Sequence, residues 1–259
     1  MINIFQPCLG QEELAGVERV FKSNWIGKGR EVVQFEKEFA EAHQSTPDHF
    51  TSTTCCTEGL FLAPELFNCA GYDIIVPTIS FVAAGNAVLA ADANLVLCDV
   101  DPWTLNVRAE DIAKKLTAST KAVFVTHYGG FPCDMDPILD LCAKRRIKVI
   151  EDAACAPFAF YKGRACGTMG DMGVWSFDAM KILVTGDGGM IYLKDPEMVA
   201  RAKEYLYLGL PGKSKSGMDS TENDAWWVYD VAQSGRRAIM NDIAAVSYTH
   251  LTLPTKRIV

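Results

Sequence analysis

The chain has 259 residues and a formal net charge of −7, with 25 Lys and Arg residues against 32 Asp and Glu residues. Hydrophobic residues make up 49% of the sequence and charged residues 22%, a composition that excludes a disordered, collagen-like or coiled-coil protein. The acidic balance argues against a general nucleic-acid binder or a membrane-surface binder, because both need excess positive charge. The length accommodates one large domain or two modest ones.

The nine cysteines follow neither a disulfide framework nor the spacing of a metal site. The only close pair, Cys55 and Cys56, consists of neighbours, which rarely bridge each other. The opening stretch, MINIFQPCLGQEE, lacks the basic region followed by an apolar one that marks a signal peptide. We therefore expect a cytoplasmic protein whose thiols are reduced and mostly buried.

The predicted elements alternate between helices and short strands. Two amphipathic helices are predicted first, over EELAGVERVFKSN and from Val32 to about His43, joined by a glycine-bearing turn. Short apolar runs then predict strands at Ile74–Val76, Leu95–Cys98, Ala122–Thr126 and Lys148–Glu151, with helices at Phe81–Ala91, Ala109–Leu116 and Pro137–Lys144. This alternation indicates right-handed β-α-β units and a mainly parallel sheet covered by helices on both faces.

The pattern changes after Met190, where a short strand and a helix from near Pro196 are predicted. Lys213–Asp224 is polar and is predicted to be a surface loop. The uncharged stretch Ile74–Ala91 is long enough to raise the question of a membrane span. Proline and polar residues interrupt that stretch, so a buried strand followed by a buried helix fits better, and no membrane partner is expected.

Three polar residues fall just past the ends of predicted strands: Asp99, His127 and Asp152. Ligands of parallel α/β sheets collect at the carboxyl ends of the strands, so each residue is a candidate by its position. Polar residues also follow strands simply because loops are polar, and position alone does not separate the two explanations.

The segment Val149–Asp195 carries the strongest chemical signal. Asp152 is followed by Ser176 and Lys181, and then by a glycine cluster at residues 186–189. A lysine can form a Schiff base with an aldehyde, and a carboxylate can keep a pyridine nitrogen protonated. A hydroxyl can bind a phosphate, and glycines let the backbone approach closely. These residue types together suit pyridoxal phosphate.

The sequence resembles the DegT/DnrJ/EryC1/StrS family of sugar aminotransferases, which are pyridoxal-phosphate enzymes of fold type I. The matching motifs keep the family's order and spacing from about Ile4 to about Ala245. They include NWIGKG, FEKEFA, VPTISFVAAGNAV, CDVDPWTLNV, THYGGFPCDMDPI, VIEDAAC, SFDAMK, GDGG and RRAIMNDIAA. The resemblance implies an α/β/α sandwich around a mainly parallel, seven-stranded sheet. It places a large cofactor-binding domain, with its N-terminal helical segment, over residues 1–245.

The resemblance assigns cofactor-site roles to individual residues. Lys181 would form the Schiff base and then shuttle a proton between the substrate and cofactor carbons, and Asp152 would pair with the pyridinium nitrogen. Phe81 would stack on the cofactor ring, and Ser176 would bind the phosphate. The ordinary alternatives are a solvated surface lysine for Lys181 and core packing for Phe81. The apolar neighbours of Lys181 in the sequence argue against the first alternative.

The phosphate cradle departs from the family pattern, which usually has Gly-Thr followed by two small residues. This chain has Cys56, Thr57 and Glu58 there, so a thiol replaces a glycine and an acid lies where an anion should bind. Thr57 keeps the hydroxyl, and a helix beginning beside it would point free N–H groups at the phosphate. We therefore expect Thr57 and the backbone to contribute more than the Glu58 side chain. Pro64 is expected to kink or shorten this helix.

Two further positions complete the implied site. Cys155 stands where the family commonly has Gln or His beside the cofactor; a thiol is a poorer hydrogen-bond partner, so Cys155 is expected merely to line the pocket. Arg237 stands where the family often has Asn or Arg that reaches the phosphate of a neighbouring subunit, which implies a homodimer. The alternative for Arg237 is a surface arginine beside a helix that begins at Asn241.

Residues 246–259 do not continue the family pattern, which leads into a small C-terminal domain. The sequence continues instead as VSYTHLTLPTKRIV, with two basic residues and no acid. A back-translation of residues 246–255 resembles a transposon-end adapter. We therefore interpret residues 246–259 as a non-native tail and the small domain as largely absent; a short natural β-tail is the alternative.

The resemblance implies an aminotransferase that moves an amino group, with glutamate as the expected donor, to a nucleotide-linked keto sugar. Lys181 favours transamination over a dehydratase, because the dehydratase relatives lack this lysine. A non-catalytic fragment of such an enzyme and a dehydratase relative remain alternatives. A nicotinamide-dependent oxidoreductase is disfavoured, because GDGG differs from the dinucleotide motif and does not follow a strand in the required way. No metal and no nucleic acid are expected.

Overall fold

The computed structural model describes residues 7, 9–210, 231 and 233–247. Within them the helices are α1 (Gln11–Lys22), α2 (Arg30–Ala42), α3 (Cys56–Leu66), α4 (Val82–Ala90), α5 (Ala109–Lys115), α6 (Met135–Ala143), α7 (Pro196–Leu206) and α8 (Asp242–Val246). The strands are β1 (Phe50–Thr53), β2 (Asp73–Pro77), β3 (Asn94–Cys98), β4 (Thr120–Thr126), β5 (Lys148–Asp152), β6 (Phe160–Tyr161), β7 (Arg164–Ala165), β8 (Met172–Ser176) and β9 (Gly189–Leu193).

Seven strands form one sheet in the order β1-β9-β8-β5-β4-β2-β3. The five strands from β8 to β3 run parallel, whereas β9 is antiparallel to both β8 and β1. One hydrophobic cluster joins the sheet to α2, α5 and α6, and a second joins its other face to α3, α4 and α7. The predicted α/β/α sandwich around a mainly parallel sheet is confirmed.

The predicted helices and strands of the first 190 residues are present. The uncharged stretch becomes β2 and α4, as predicted, because its apolar side chains are buried in the second hydrophobic cluster. None of the helices in the described part of the chain combines the length and apolar character that crossing a bilayer requires. The predicted surface loop Lys213–Asp224 lies outside the described residues.

Several elements were not predicted from the sequence. The strand β1 has only four residues, the hairpin strands β6 and β7 have two each, and β8 lies unmarked inside the chemical segment. The expectation for Pro64 is only partly met, since α3 continues through Pro64 and ends two residues later at Leu66. Pro64 therefore lies in the last turn of α3, where the helix ends in any case.

The interpretation of residues 246–259 falls mostly outside the described part of the chain. Val246 ends α8 and is buried, and its Cβ would lie 3.0 Å from a Cβ added at Gly16 of α1. Residues 248–259 are not described. The division at residue 245 therefore stays a prediction.

Candidate active site

A cavity of about 320 Å³ lies at the carboxyl end of the central strands. Asp152 is the last residue of β5 and Ser176 is the last residue of β8, so the fold itself brings these two side chains to one edge. Six of the nine predicted site residues line the cavity: Cys56, Thr57, Phe81, Asp152, Ser176 and Lys181. A larger cavity of about 820 Å³ lies elsewhere, and none of the nine predicted site residues lines it. We therefore take the smaller cavity as the candidate active site.

Asp152 is buried, with 3% of its surface exposed, and its Oδ1 atom accepts a hydrogen bond from the Ala154 N–H at 3.1 Å. Burial raises the pKa of the Asp152 carboxyl, and the Ala154 N–H, His127 and Lys181 only partly oppose that rise. A cationic partner in the cavity would favour the ionised carboxylate. This environment suits a residue that pairs with a protonated ring nitrogen.

Lys181 is half-buried, and its backbone N–H donates to the Asp178 carbonyl at 2.9 Å. Its Nζ atom lies 3.6 Å from the Cys155 sulfur, and no described carboxylate lies within ion-pair distance of it. Cys155 thus contacts the lysine amine directly, although it is not among the residues that line the cavity. Because the Cys155 thiol is a weak hydrogen-bond partner, the Lys181 amine is available to react with a ligand.

The N-terminus of α3 faces the cavity. Cys55 is the N-cap in an extended conformation, and no side chain caps the helix, so its first N–H groups lack intrahelical partners. Gly189 of β9 packs against this turn so closely that an added Cβ would lie 2.7 Å from the Cys56 nitrogen. Beside it, burial raises the pKa of the Cys56 thiol well above its usual value. A helix N-terminus with open N–H groups is a favourable phosphate site.

Phe81 and Ser176 take different positions at the cavity. Phe81 is the N-cap of α4 and is 67% exposed, which excludes the alternative of core packing. Its ring is therefore free to cover a ligand. Ser176 is buried at 7% exposure, and its Oγ atom accepts the Asp178 N–H at 3.4 Å.

The side chains of Glu58 and Arg237 lie outside this cavity. The Glu58 carboxylate turns toward the Arg236 guanidinium, with Oε2 and Nε 3.6 Å apart. Arg237 is exposed, and its guanidinium carbon lies 5.3 Å from the centroid of the Tyr207 ring. That placement agrees with a surface arginine and equally with a residue that acts on a neighbouring subunit.

The other positional candidates do not reach the cavity. Asp99 follows β3, which is the edge strand, far from β5 in the sheet order. His127 is buried behind the site, where its Nε2 donates to Glu151 Oε2 at 2.9 Å and its Nδ1 accepts the Cys133 N–H at 3.2 Å. The sequence reasoning missed Glu151. The sequence feature that could have identified Glu151 is an acidic residue inside the apolar run of β5. In the structure its buried carboxylate accepts hydrogen bonds from four donors.

Comparison with known proteins shows what the chain is similar to. The family model described as the DegT/DnrJ/EryC1/StrS aminotransferase family matches residues 7–253. A dTDP-4-dehydro-2,3,6-trideoxy-D-glucose 4-aminotransferase of Saccharopolyspora spinosa is 47% identical over 95% of this chain and 64% of its own length. A GDP-perosamine synthase of Escherichia coli O157:H7 is 36% identical over 81% of this chain and 57% of its own length.

A solved structure supports the same assignment. The aminotransferase TlmJ from Streptoalloteichus hindustanus superimposes with a TM-score of 0.89 at 48% identity, covering 96% of this chain and 65% of that chain. The chain thus spans somewhat less than two thirds of the length of these relatives. By the family match and by these identities, the chain belongs to the DegT/DnrJ/EryC1/StrS aminotransferase family.

Proposed function

We propose that residues 1–245 form the large cofactor-binding domain of a pyridoxal-phosphate-dependent aminotransferase. Its acceptor is a nucleotide-linked keto sugar, and its donor is an amino acid, with glutamate as the expected one. The main observation behind the proposal is that Lys181, Asp152 and the N-terminus of α3 all line one cavity. The names of the two relatives, which refer to a dTDP-linked dehydro sugar and to GDP-perosamine, support the choice of acceptor.

The residues that line the cavity fit pyridoxal phosphate. When bound, this cofactor supplies an aldehyde that exchanges amines and a ring that takes up carbanion electrons. The Asp152 carboxylate would hold a proton on the ring nitrogen, because its burial makes an opposite charge favourable. The open N–H groups of α3 would bind the phosphate with the hydroxyls of Thr57 and Ser176, and Phe81 would cover the ring.

Lys181 has two tasks in this proposal. Its Nζ atom would hold the cofactor covalently, and after release it would carry the proton that leaves the substrate carbon. Both tasks need an amine that no carboxylate holds, and Cys155 is the sole hydrogen-bond partner of Nζ in the described part of the chain. Asp152 and Lys181 therefore divide the chemistry, with one fixing the ring charge and the other moving the proton.

We further propose a homodimer in the cytoplasm. Three apolar side chains near the cavity are strongly exposed, Phe81 at 67%, Met180 at 60% and Ile182 at 74%, and a second copy would cover them. Arg237 would then reach the phosphate of the neighbouring subunit, as the family pattern implies. The eight described cysteines are all free thiols, which suits a reducing compartment.

Cofactor binding by the purified chain tests the proposal. We expect pyridoxal phosphate to give a visible absorbance band that borohydride bleaches. Lys181→Ala should lack the band, whereas Lys194→Ala, an exposed lysine outside the cavity, should keep it. Absence of the band from the unsubstituted 259-residue chain, the reference called the natural chain in every comparison with a variant, would refute the cofactor assignment.

Incubation with glutamate and a panel of dTDP- and GDP-linked keto sugars then tests the reaction. An amino sugar product supports the aminotransferase. A chain that shows the band but yields no amino sugar supports a non-catalytic, cofactor-binding part of such an enzyme, and loss of a sugar hydroxyl instead of amination supports a dehydratase.

A further inference from the structure

An acidic residue lies in the first turn of α3, the helix whose N-terminus faces the cavity. Glu58 directly follows Thr57, which lines the cavity, and the Glu58 Oε2 atom is buried without a hydrogen bond in the described part of the chain. Arg236 Nε lies 3.6 Å from that oxygen, and Arg236 Nη2 donates to Glu65 Oε2 at 3.1 Å. Glu58 and Glu65 are seven residues apart and share one face of the helix. One guanidinium therefore bridges two carboxylates.

The position of Arg236 is set by the fold and not by its sequence neighbours. Its backbone N–H donates to the Tyr205 carbonyl at 2.7 Å, at the end of α7. Two residues later, the Ala238 carbonyl accepts hydrogen bonds from Thr53 Oγ1 at 2.8 Å and from the Thr54 N–H at 3.1 Å. The segment around Arg236 is thus fastened to the turn that leads into α3, so the guanidinium is held beside Glu58.

An unpaired carboxylate at this point would oppose anion binding. The N-terminus of a helix carries a partial positive charge of about half a unit, and a full negative charge in the first turn offsets it. Glu58 is 28% exposed and Arg236 is 40% exposed, so water and salt screen the charges only in part. The neighbouring Arg236 guanidinium offsets the charge of Glu58 locally without entering the cavity, while it also pairs with Glu65 farther along the helix.

We propose that Arg236 allows the N-terminus of α3 to bind a phosphate by offsetting the negative charge of Glu58. Arg236 is a positioning residue in this sense: it does not line the cavity, and it acts through the charge of Glu58. The inference rests on the proposed function, because the phosphate of pyridoxal phosphate is the anion expected at this helix. It explains how the chain tolerates an acid in its phosphate cradle.

A double-mutant cycle separates this role from a structural one. Arg236→Gln should weaken pyridoxal phosphate binding by roughly tenfold, because the negative charge of Glu58 in the first turn of α3 is then uncompensated. Glu58→Gln should bind the cofactor at least as tightly as the natural chain. Arg236→Gln combined with Glu58→Gln should recover the affinity of the natural chain to within about twofold.

Two controls test whether the change in affinity comes from the phosphate group. Pyridoxal, which lacks the phosphate, should bind the natural chain and Arg236→Gln equally. Glu65→Gln removes the other half of the bridge about 10 Å along the helix, so it loosens the same tether without exposing a charge near the phosphate. We expect Glu65→Gln to leave pyridoxal phosphate affinity unchanged.

Dissociation constants from absorbance titrations provide the readout, together with the shift in melting temperature caused by inorganic phosphate. The inference is overturned if Glu58→Gln does not restore the affinity lost in Arg236→Gln, or if Glu65→Gln weakens binding equally. A natural chain that binds phosphate but not the cofactor refutes the proposed function alone, and the same variants then test Arg236 with inorganic phosphate. A natural chain that binds neither anion refutes both.

Discussion

We predict that His43 makes the free energy of unfolding depend on pH, and the surroundings of its ring determine the size of that dependence. It lies directly after α2 with 2% of its surface exposed, and its ring stacks on Phe39 with centroids 4.1 Å apart. Trp175 packs edge-on against it at 5.0 Å, and Nδ1 donates to the Phe39 carbonyl at 2.7 Å. Burial lowers the pKa of His43 from 6.5 to about 4, because this aromatic setting disfavours the charged imidazolium.

The unfolded chain therefore binds this proton more readily than the folded chain. The free energy of unfolding is unaffected by His43 above pH 6.5 and falls as the pH drops from 6.5 toward 4. A pKa difference of this size corresponds to a total loss of about 3 kcal/mol, of which about 2 kcal/mol is already lost at pH 5. A plot of the free energy of unfolding against pH should therefore show this decrease on its acidic side.

Urea unfolding at pH 7.5 and pH 5.0 measures it. We expect the natural chain to lose about 2 kcal/mol more between the two pH values than His43→Phe, which keeps an aromatic ring that does not titrate. His43→Gln serves as a second neutral replacement, and comparing differences between pH values removes any packing defect in either variant. Equal losses in the natural chain and both variants would refute the reasoning.

Three shorter predictions concern the site and its supports. Asp152→Asn should reduce amino transfer by at least about 100-fold while the chain still folds, measured as kcat with glutamate and by circular dichroism. Gly189→Ala should lower the free energy of unfolding by roughly 1–3 kcal/mol and weaken cofactor binding, because its Cβ would meet the Cys56 backbone at 2.7 Å. Its control is Gly85→Ala in α4, where the nearest atom is 3.6 Å away and urea unfolding should show a small gain in stability. Glu151→Gln should cost roughly 2 kcal/mol or more in the same assay, because four hydrogen-bond donors converge on this carboxylate; an unchanged midpoint would contradict that account.

The chemical residues of the candidate site could largely be predicted from the sequence. Asp152, Ser176 and Lys181 occur in one short segment, and the strands that carry the first two are neighbours in the sheet. Residues that are close in the sequence of this segment are therefore also close to each other in the folded chain. Phe81 and Thr57 followed from family motifs, and the structure adds that both line the same cavity.

The direction of the Glu58 side chain could not be predicted in this way. The sequence places an acid in the phosphate cradle, whereas the structure turns that carboxylate to Arg236 and away from the cavity. The partner comes from a segment far along the chain, held in place by β1 and α7. His127 shows the same limit: its position after β4 marked it as a candidate, but burial against Glu151 gives it a structural partner behind the site.

The sequence by itself determined the alternation of strands and helices, the parallel sheet and the residue types of the cofactor site. These features depend on neighbours along the chain, and hydrophobic periodicity and motif order record such neighbours. Only the tertiary structure decided which charges are paired, that His43 is held in an aromatic core, and that Asp99 is remote from the cavity. Those outcomes depend on contacts between distant segments, which form only when the two faces of the sheet are covered.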